Sequence, residues 1–462
     1  MLPVEFQRMF SKLYDQAPSH PYSIIKPLIE RELNVEDIES IFPEFTHEAV
    51  ASASIAQVHS AVLKNGQKVA VKVQKPEIKA QINADLFCYK IIMYGLEKVF
   101  DIPVLWSADY LGEHIRQETD FINETRNSRL CLKNILESRN TALKECCTVP
   151  SVFDEFTTRN VMTTEWIDGI SMRDIAGLKS SGFEIPSIVS KLVQVFADQI
   201  FGSGFVHCDP HPGNIIIREK PRKRSFLFGW LGWQRGADFE IVILDHGLYM
   251  KSSSNFRNEY REFWRSLFVL DINSLEEIGA SWGVKDLTIF ASATLSRPWR
   301  KSNMPHLNTP VSIVDTMSEN EEYEKQVKLK GRLVAFLQNS DKLPHELLLI
   351  GRNINCIRGI NMMFKSPVNR INVMAIEAVE NIDANNGTLL TGFEVLKFKS
   401  VLSFSSFVFW ATGVLHNVLS LFGASTGNGR GRFGEGGMDA VLLERIREQV
   451  PGFNIDESNF GA

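Results

Sequence analysis

Apolar positions in residues 1–45 recur at helical spacing, punctuated by Pro18, Pro21, Pro27 and Pro43. From Ala49 the texture changes, and Ala51 to Val58 is small and β-tolerant. Ser60-Ala61-Val62-Leu63 then meets Asn65-Gly66, a two-residue hairpin signal, and Lys68 to Val73 alternates as a return strand. The pattern predicts a β-hairpin over 52–74 and long helices over 77–99 and 109–138. Val149 to Phe156 and Val161 to Trp166 read as two further strands, before a turn at Asp168-Gly169. Residues 186–204 form an apolar helix. Ile215-Ile216-Ile217 and Ile241-Val242-Ile243-Leu244 are short buried strands, and the period is mainly helical from 250 to about 400. A β-containing first part and a helical second part predict an α+β chain of two lobes around a cleft. The expected divisions are an N-lobe over 1–164 and a C-lobe over 165–395 with an insert at 219–239. An apolar helix and a glycine-rich tail follow over 396–462. The tail holds seven glycines between 423 and 438, and a short helix capped by Asp439 follows it.

Composition narrows the function more than the fold. Over 462 residues, 44% hydrophobic and 23% charged positions suit a globular chain with a large core. A net charge of -5 argues against nucleic acid as the main partner. Six cysteines without regular spacing and without a CxxC pair fit neither a disulfide scaffold nor a zinc ribbon. His207, Cys208 and His211 lack a nearby fourth ligand, so zinc is not expected there. The first residues, with Glu5, Arg8, Lys12 and Asp15, match neither a secretory signal nor a mitochondrial presequence.

The chemistry concentrates in His207-Cys208-Asp209-Pro210-His211-Pro212-Gly213-Asn214. Phosphoryl transfer needs a carboxylate to orient the acceptor hydroxyl and an amide oxygen to hold a metal beside the phosphates. Asp209 and Asn214 supply both from one loop stiffened by proline. Asp245-His246-Gly247 closes the next strand and offers a second metal carboxylate, with His246 where a kinase has Phe. In Val69-Ala70-Val71-Lys72, the lysine points away from its two valine neighbours and suits contact with phosphate. Its carboxylate partner is expected from Glu118 or Glu124. Six positions of helix are about 240°, so both cannot serve, and Glu124 is favoured. The stretch that should cover the phosphates, Ala49-Val50-Ala51-Ser52-Ala53-Ser54, has alanine where kinases have glycine, which stiffens it.

These motifs, taken in order with Ser54-Ile55-Ala56-Gln57-Val58-His59 and Glu118-x-Asp120, resemble the AarF/UbiB family of atypical protein-kinase-like proteins. Asp-His-Gly-Leu-Tyr and Pro367-Val368-Asn369-Arg370 resemble its mitochondrial branch. The resemblance covers about residues 1–370. It implies a kinase-like fold, ATP or ADP with Mg as cofactors, and a role in coenzyme Q or mitochondrial lipid homeostasis. By position, Lys72 would contact phosphates together with Ala51, Ser52, Ala53 and Ser54. Asp209 would be the catalytic aspartate, and Asn214 and Asp245 would hold Mg. The backbone of Glu165, Trp166 and Ile167 would be the adenine hinge. The family's N-terminal Lys-x-Gly-Gln gate has no counterpart before Pro3. A missing N-terminal piece is therefore expected, and a mitochondrial, inner-membrane-associated location with it.

Two segments suggest lipid contact. The insert Lys220 to Arg235 joins five basic residues to large apolar ones, including Trp230 and Trp233. Residues 401–422 are apolar for about one membrane span but are broken by Ser, His and Asn, which favours a buried or interfacial helix. A lipid or quinone-precursor ligand is the expected further partner. Two alternatives stand beside the kinase or ATPase reading: a small-molecule kinase of the aminoglycoside or choline type, and a non-catalytic nucleotide-sensing scaffold or lipid-binding module.

Overall fold

The computed structural model describes residues 18–100, 104–220, 238–269, 271–284, 287–295 and 344–382, with Phe398 and Ser400. The segments 220–235 and 401–422 thus lie outside the described residues, apart from Lys220, as does the glycine-rich tail.

The chain opens with α1 (Tyr22–Leu33), which carries Pro27 within it and stops at Asn34 in the left-handed region. Two short strands follow, β1 (Glu44–Phe45) and β2 (Ala51–Ser52), and then the hairpin β3 (Ala56–Val62) and β4 (Lys68–Gln74). Its connection is longer than a two-residue turn. Gly66 donates to the Leu63 carbonyl with φ +82, a conformation glycine adopts without strain, and Leu63 buries its side chain beneath the turn. Next come α2 (Ile78–Phe100), α3 (Leu105–Glu118), α4 (Phe121–Glu137), α5 (Thr141–Cys146), β5 (Cys147–Thr148) and β6 (Val161–Glu165). The antiparallel sheet runs β1-β3-β4-β6, with β2 on β3. Val69, Val71 and Val73 point to one face and pack with Ile25, Ile29, Phe42 and Val161 as the first core. The alternation turns Lys72 to the other face, toward the cleft.

The second lobe contains β7 (Ile170–Ser171), α6 (Ile175–Ser180), α7 (Ile185–Asp198), β8 (Phe205–His207), β9 (Ile215–Glu219), β10 (Phe239–Ile243) and β11 (Tyr249–Lys251). Helices α8 (Ser254–Val269), α9 (Ile272–Ser281), α10 (Leu287–Leu295), α11 (Glu346–Met363) and α12 (Arg370–Glu380) complete it. One face of α7, with Ile188, Leu192 and Phe196, meets α11 and α12 in a large second core.

Three expectations change. The helix expected over 109–138 is two helices, because Asp120 leaves helical conformation and caps α4 through the Ile122 N–H. Val149 to Phe156 is not a strand. Only Val152 bridges to Thr164, and Asp154–Phe156 is a 3-10 turn. Pro150 lacks the N–H that a continuous ladder needs. The helix expected over 186–204 ends at Asp198 and relaxes into a π turn, Gln199–Ser203. The core also divides earlier than residue 164. Cys131, Ile135, Leu143, Cys147 and Val149 belong to the second core, and β5 pairs in parallel with β10.

Candidate active site

β9 and β10 place Asn214 and Asp245 side by side. Their antiparallel register sets Ile215 opposite Ile243. The Leu244 N–H therefore donates to the Asn214 carbonyl at 2.9 Å, and Asp245 follows one residue on. The Asp245 Oδ1 accepts the Gly247 N–H at 2.9 Å and faces Lys72 Nζ at 3.5 Å. Burial opposes charge on Asp245, but Lys72 and the Gly247 N–H outweigh it and hold this carboxyl well below its usual range.

Lys72 is fixed from the opposite side. Its Nζ donates to both oxygens of Glu124, at 2.8 and 2.9 Å. Glu124 is 1% exposed and lies in the first turn of α4; burial pushes its carboxyl up to about 7, against the pull of Lys72. Gln74 Nε2 donates to the Thr119 carbonyl at 2.8 Å and anchors that helix start to β4. Burial works against the ammonium of Lys72, yet Asp245 and Glu124 raise its pKa. Glu118 occupies a different place, at the last turn of α3 against Gly247. A β-carbon added at Gly247 would lie 3.0 Å from Glu118 Cγ. Burial, followed by the Asp245 charge, pushes Glu118 up to about 7. The two glutamates thus have separate positions, on two helices rather than on two faces of one.

His246 packs as a polar core residue where Phe stands in kinases. It is 1% exposed, with Nε2 donating to the Ile243 carbonyl and Nδ1 accepting the Tyr249 hydroxyl, each at 3.0 Å. Its backbone is held too: the N–H points to Glu124 Oε1 at 3.4 Å, and its carbonyl accepts from Asn127. Burial lowers its pKa to about 4.

Asp209 sits after β8. Its N–H donates to His207 Nδ1 at 3.0 Å, and its carbonyl accepts from His211. Burial, aided by His246, holds His207 neutral with a pKa of about 3. The Asp209 carboxylate pairs with Arg352 on α11 at 3.0 Å, and both side chains remain partly exposed. The neighbouring Asn353 is fully buried and donates to the His207 carbonyl at 2.6 Å. Neither residue follows from a motif; their only sequence signal is a charged and an amide residue inside an apolar helical run.

The alanine-rich stretch is also tied down. Ser52 is buried within β2, while Ala51, Ala53 and Ser54 are exposed. The Ala53 carbonyl accepts from the ammonium of buried Lys75 at 2.6 Å, and Ala53 N–H donates to Ala56. Sequence reasoning missed Lys75, which carries no motif beyond following β4. The expected hinge crosses between the two sheets after β6. Glu165 accepts from Arg218 at 3.2 Å, Trp166 bonds to Asp168 and stacks under Lys68, and Ile167 is buried. The Glu165 side chain therefore ties β6 to β9, and the Glu165 and Trp166 N–H groups donate to the Ser151 and Lys68 carbonyls.

The structure thus brings Lys72, Glu124, Glu118, Asp245, Asn214 and Asp209 to one cleft between a small sheet and a helical lobe. Residues 12–279 match the ABC1 atypical kinase-like domain, more than half of the chain. The chain belongs to the ABC1 atypical kinase-like family. An ABC1 family protein of Schizosaccharomyces pombe is 35% identical over 375 residues, covering 81% of this chain and 66% of the relative. The AarF domain-containing protein kinase 1 of Gallus gallus is 31% identical over 365 residues, covering 78% and 65%. A probable serine/threonine-protein kinase of Dictyostelium discoideum is 29% identical over 390 residues, covering 84% and 52%. The chain therefore spans just under two thirds of the first two relatives and about half of the third. Its two-lobed α+β architecture is the kinase-like fold of that family.

Proposed function

We propose that the chain binds an adenine nucleotide with Mg in this cleft and acts as an atypical phosphotransferase or ATPase. The observation that carries the reading is the Lys72–Glu124–Asp245 group, with Glu124 buried, set beside Asn214, and Asp209 on the same loop as Asn214. Fixed charges that cost nothing to arrange during the reaction are what phosphoryl transfer requires. Lys72 would meet the phosphates, and Glu124 would hold it in register. Asn214 and Asp245 fit Mg by chemistry. Both are oxygen donors on adjoining strand ends, and the two contacts on Asp245 Oδ1 leave Oδ2 for a cation. When bound, Mg neutralises the negative charge of the phosphates. Asp209 would orient the acceptor hydroxyl or water and take its proton, and Arg352 would set the carboxylate's direction. The backbone over Glu165–Ile167 would receive the adenine, while Ala51, Ser52, Ala53 and Ser54 would close over the phosphates.

The naming of two relatives as kinases supports the enzyme class, and the resemblance to the mitochondrial AarF branch supports a role in coenzyme Q or lipid homeostasis at the mitochondrial inner membrane. A lipid or quinone precursor would be the further ligand, and 220–235 or 401–422 would supply peripheral membrane contact.

Thermal-shift titration with ADP and ATP, with and without Mg, tests the reading. Wild type should be stabilised by nucleotide, most strongly with Mg, and Asp245→Asn should lose the Mg-dependent part. The absence of any shift in wild type would overturn it. Binding without turnover on lipid, quinone-precursor or peptide acceptors would favour the scaffold alternative.

A further inference from the structure

Twelve large apolar side chains are exposed among the described residues, and six of them lie on α2: Phe87, Ile91, Ile92, Tyr94, Leu96 and Val99. Their exposures run from 38% at Leu96 to 74% at Val99. Scattered exposed apolar residues need no explanation, but half of them on one helix do. The α2 helix forms an antiparallel hairpin with α3 and spends its other side on it. Leu86 packs over Gly112, Tyr89 reaches Ser107, Lys90 pairs with Asp109, and Glu97 caps Leu105. The six exposed positions are therefore not the seam of this hairpin.

The breadth of the exposed face decides what would cover it. At 100° per residue, the six positions spread over about 200° of the helix, an arc that also holds exposed Asp85 toward the start of the helix and Lys98 toward its end. A partner helix would leave a stripe of about 100°, because only one side of a helix can be held in a protein groove. A fluid hydrocarbon surface, which closes around a partly immersed helix, accepts the wider arc. Tyr94 sits at one margin, and Lys98, inside the arc near the end of the helix, holds its ammonium 5.7 Å from the Tyr94 ring centroid. An aromatic ring beside a lysine suits the boundary between acyl chains and headgroups. The helix carries three lysines (Lys79, Lys90, Lys98) against two acids (Asp85, Glu97), so its charge alone would not hold it to an anionic surface.

We propose that the outer face of α2 is a lipid-contact surface that inserts into the headgroup–acyl boundary by burying apolar side chains. It differs from 220–235 in mechanism, since that insert would depend on basic charge, and it stands independently of the nucleotide reading.

The helix supplies its own reporter. Cys88 is a free, exposed thiol within the apolar arc. The full chain, in a Cys146→Ser, Cys356→Ser background, would be labelled at Cys88 with an environment-sensitive fluorophore and mixed with neutral phosphatidylcholine vesicles. The expected result is a blue shift with quenching by acyl-chain nitroxides, little changed by salt. Phe87→Asp with Ile91→Asp should weaken partitioning at least tenfold while leaving the nucleotide thermal shift as in wild type. Three results would each overturn the proposal. One is a label that stays in water, whether or not the protein floats with vesicles. Another is binding that needs anionic lipid and vanishes at high salt. The last is a blue shift without lipid that grows with protein concentration, which would give the face to a second copy of the chain.

Discussion

Two parts of the site are built differently. In one, Lys72, Glu124, Asp245 and His246 are held by several bonds each, and Glu124 and His246 are almost wholly buried. In the other, the Asp209 carboxylate is held by one ion pair with Arg352, whose own side chain is about half exposed. The Lys72–Glu124 pair is set by two hydrogen bonds before any ligand arrives; the Asp209–Arg352 pair is held by fewer contacts. That difference suits a site in which the phosphate end is fixed and the acceptor end adapts. Glu118 stands between them, since the charges of both Asp245 and Asp209 help to raise its pKa.

The largest effect should come from breaking the Lys72–Glu124 pair. Lys72→Met leaves Glu124 buried without its cation beside Asp245, at a cost of about 3–5 kcal/mol in urea unfolding. Adding Glu124→Leu should return a large part of that loss, and a double variant no more stable than Lys72→Met would show that the pair is not the coupled unit described here. Next is Glu118→Gln. The wild-type carboxyl has a folded pKa of about 7 against an ordinary 4.5. Both states are protonated below pH 4.5, so it contributes nothing there. As pH rises, the unfolded state loses its proton first, and wild type is progressively penalised up to about pH 7. The glutamine variant should therefore gain on the order of 2 kcal/mol at pH 8 and nothing at pH 4.5. Equal stability at pH 8 would contradict the burial of that carboxyl.

A smaller effect of about 1–3 kcal/mol is expected from His246→Phe, because the ring would leave the Tyr249 hydroxyl and Ile243 carbonyl unpaired. The histidine has a folded pKa near 4 against 6.5, so its contribution is present above 6.5 and is lost as pH falls from 6.5 toward 4. His246→Phe should flatten that part of the acid limb of a stability–pH curve. Arg352→Ala should be the mildest for stability, below about 1 kcal/mol, since the pair is partly exposed. Its effect should fall on turnover rather than on nucleotide affinity.

Much of this division is visible in the residues themselves. Alternation in Lys68 to Val73 turns Lys72 away from the valine core, and the two short apolar strands carry Asn214 and Asp245 to one end of a hairpin. Glu124 could be favoured over Glu118, but on an argument that assumed one continuous helix. The real separation comes from the Asp120 cap, a local choice that periodicity does not register. Arg352 and Asn353 are not legible, because a polar residue in an apolar run does not say which loop it will reach about 140 residues away in sequence, and nothing around Lys75 points it back to the Ala53 carbonyl. His246 looked like a departure from the Phe of kinases. The Ile243 carbonyl and Tyr249 hydroxyl that satisfy its ring become apparent only when β10 and β11 fold back on each other.

The most direct test of a prebuilt phosphate side and an adaptable acceptor side is the affinity for ADP, with and without Mg, of wild type, Arg352→Ala and Asp245→Asn. Arg352→Ala should bind within about threefold of wild type in both conditions, while Asp245→Asn should lose tenfold or more with Mg and little without it. Equal losses for the two variants, or a loss in Asp245→Asn that does not depend on Mg, would contradict the account.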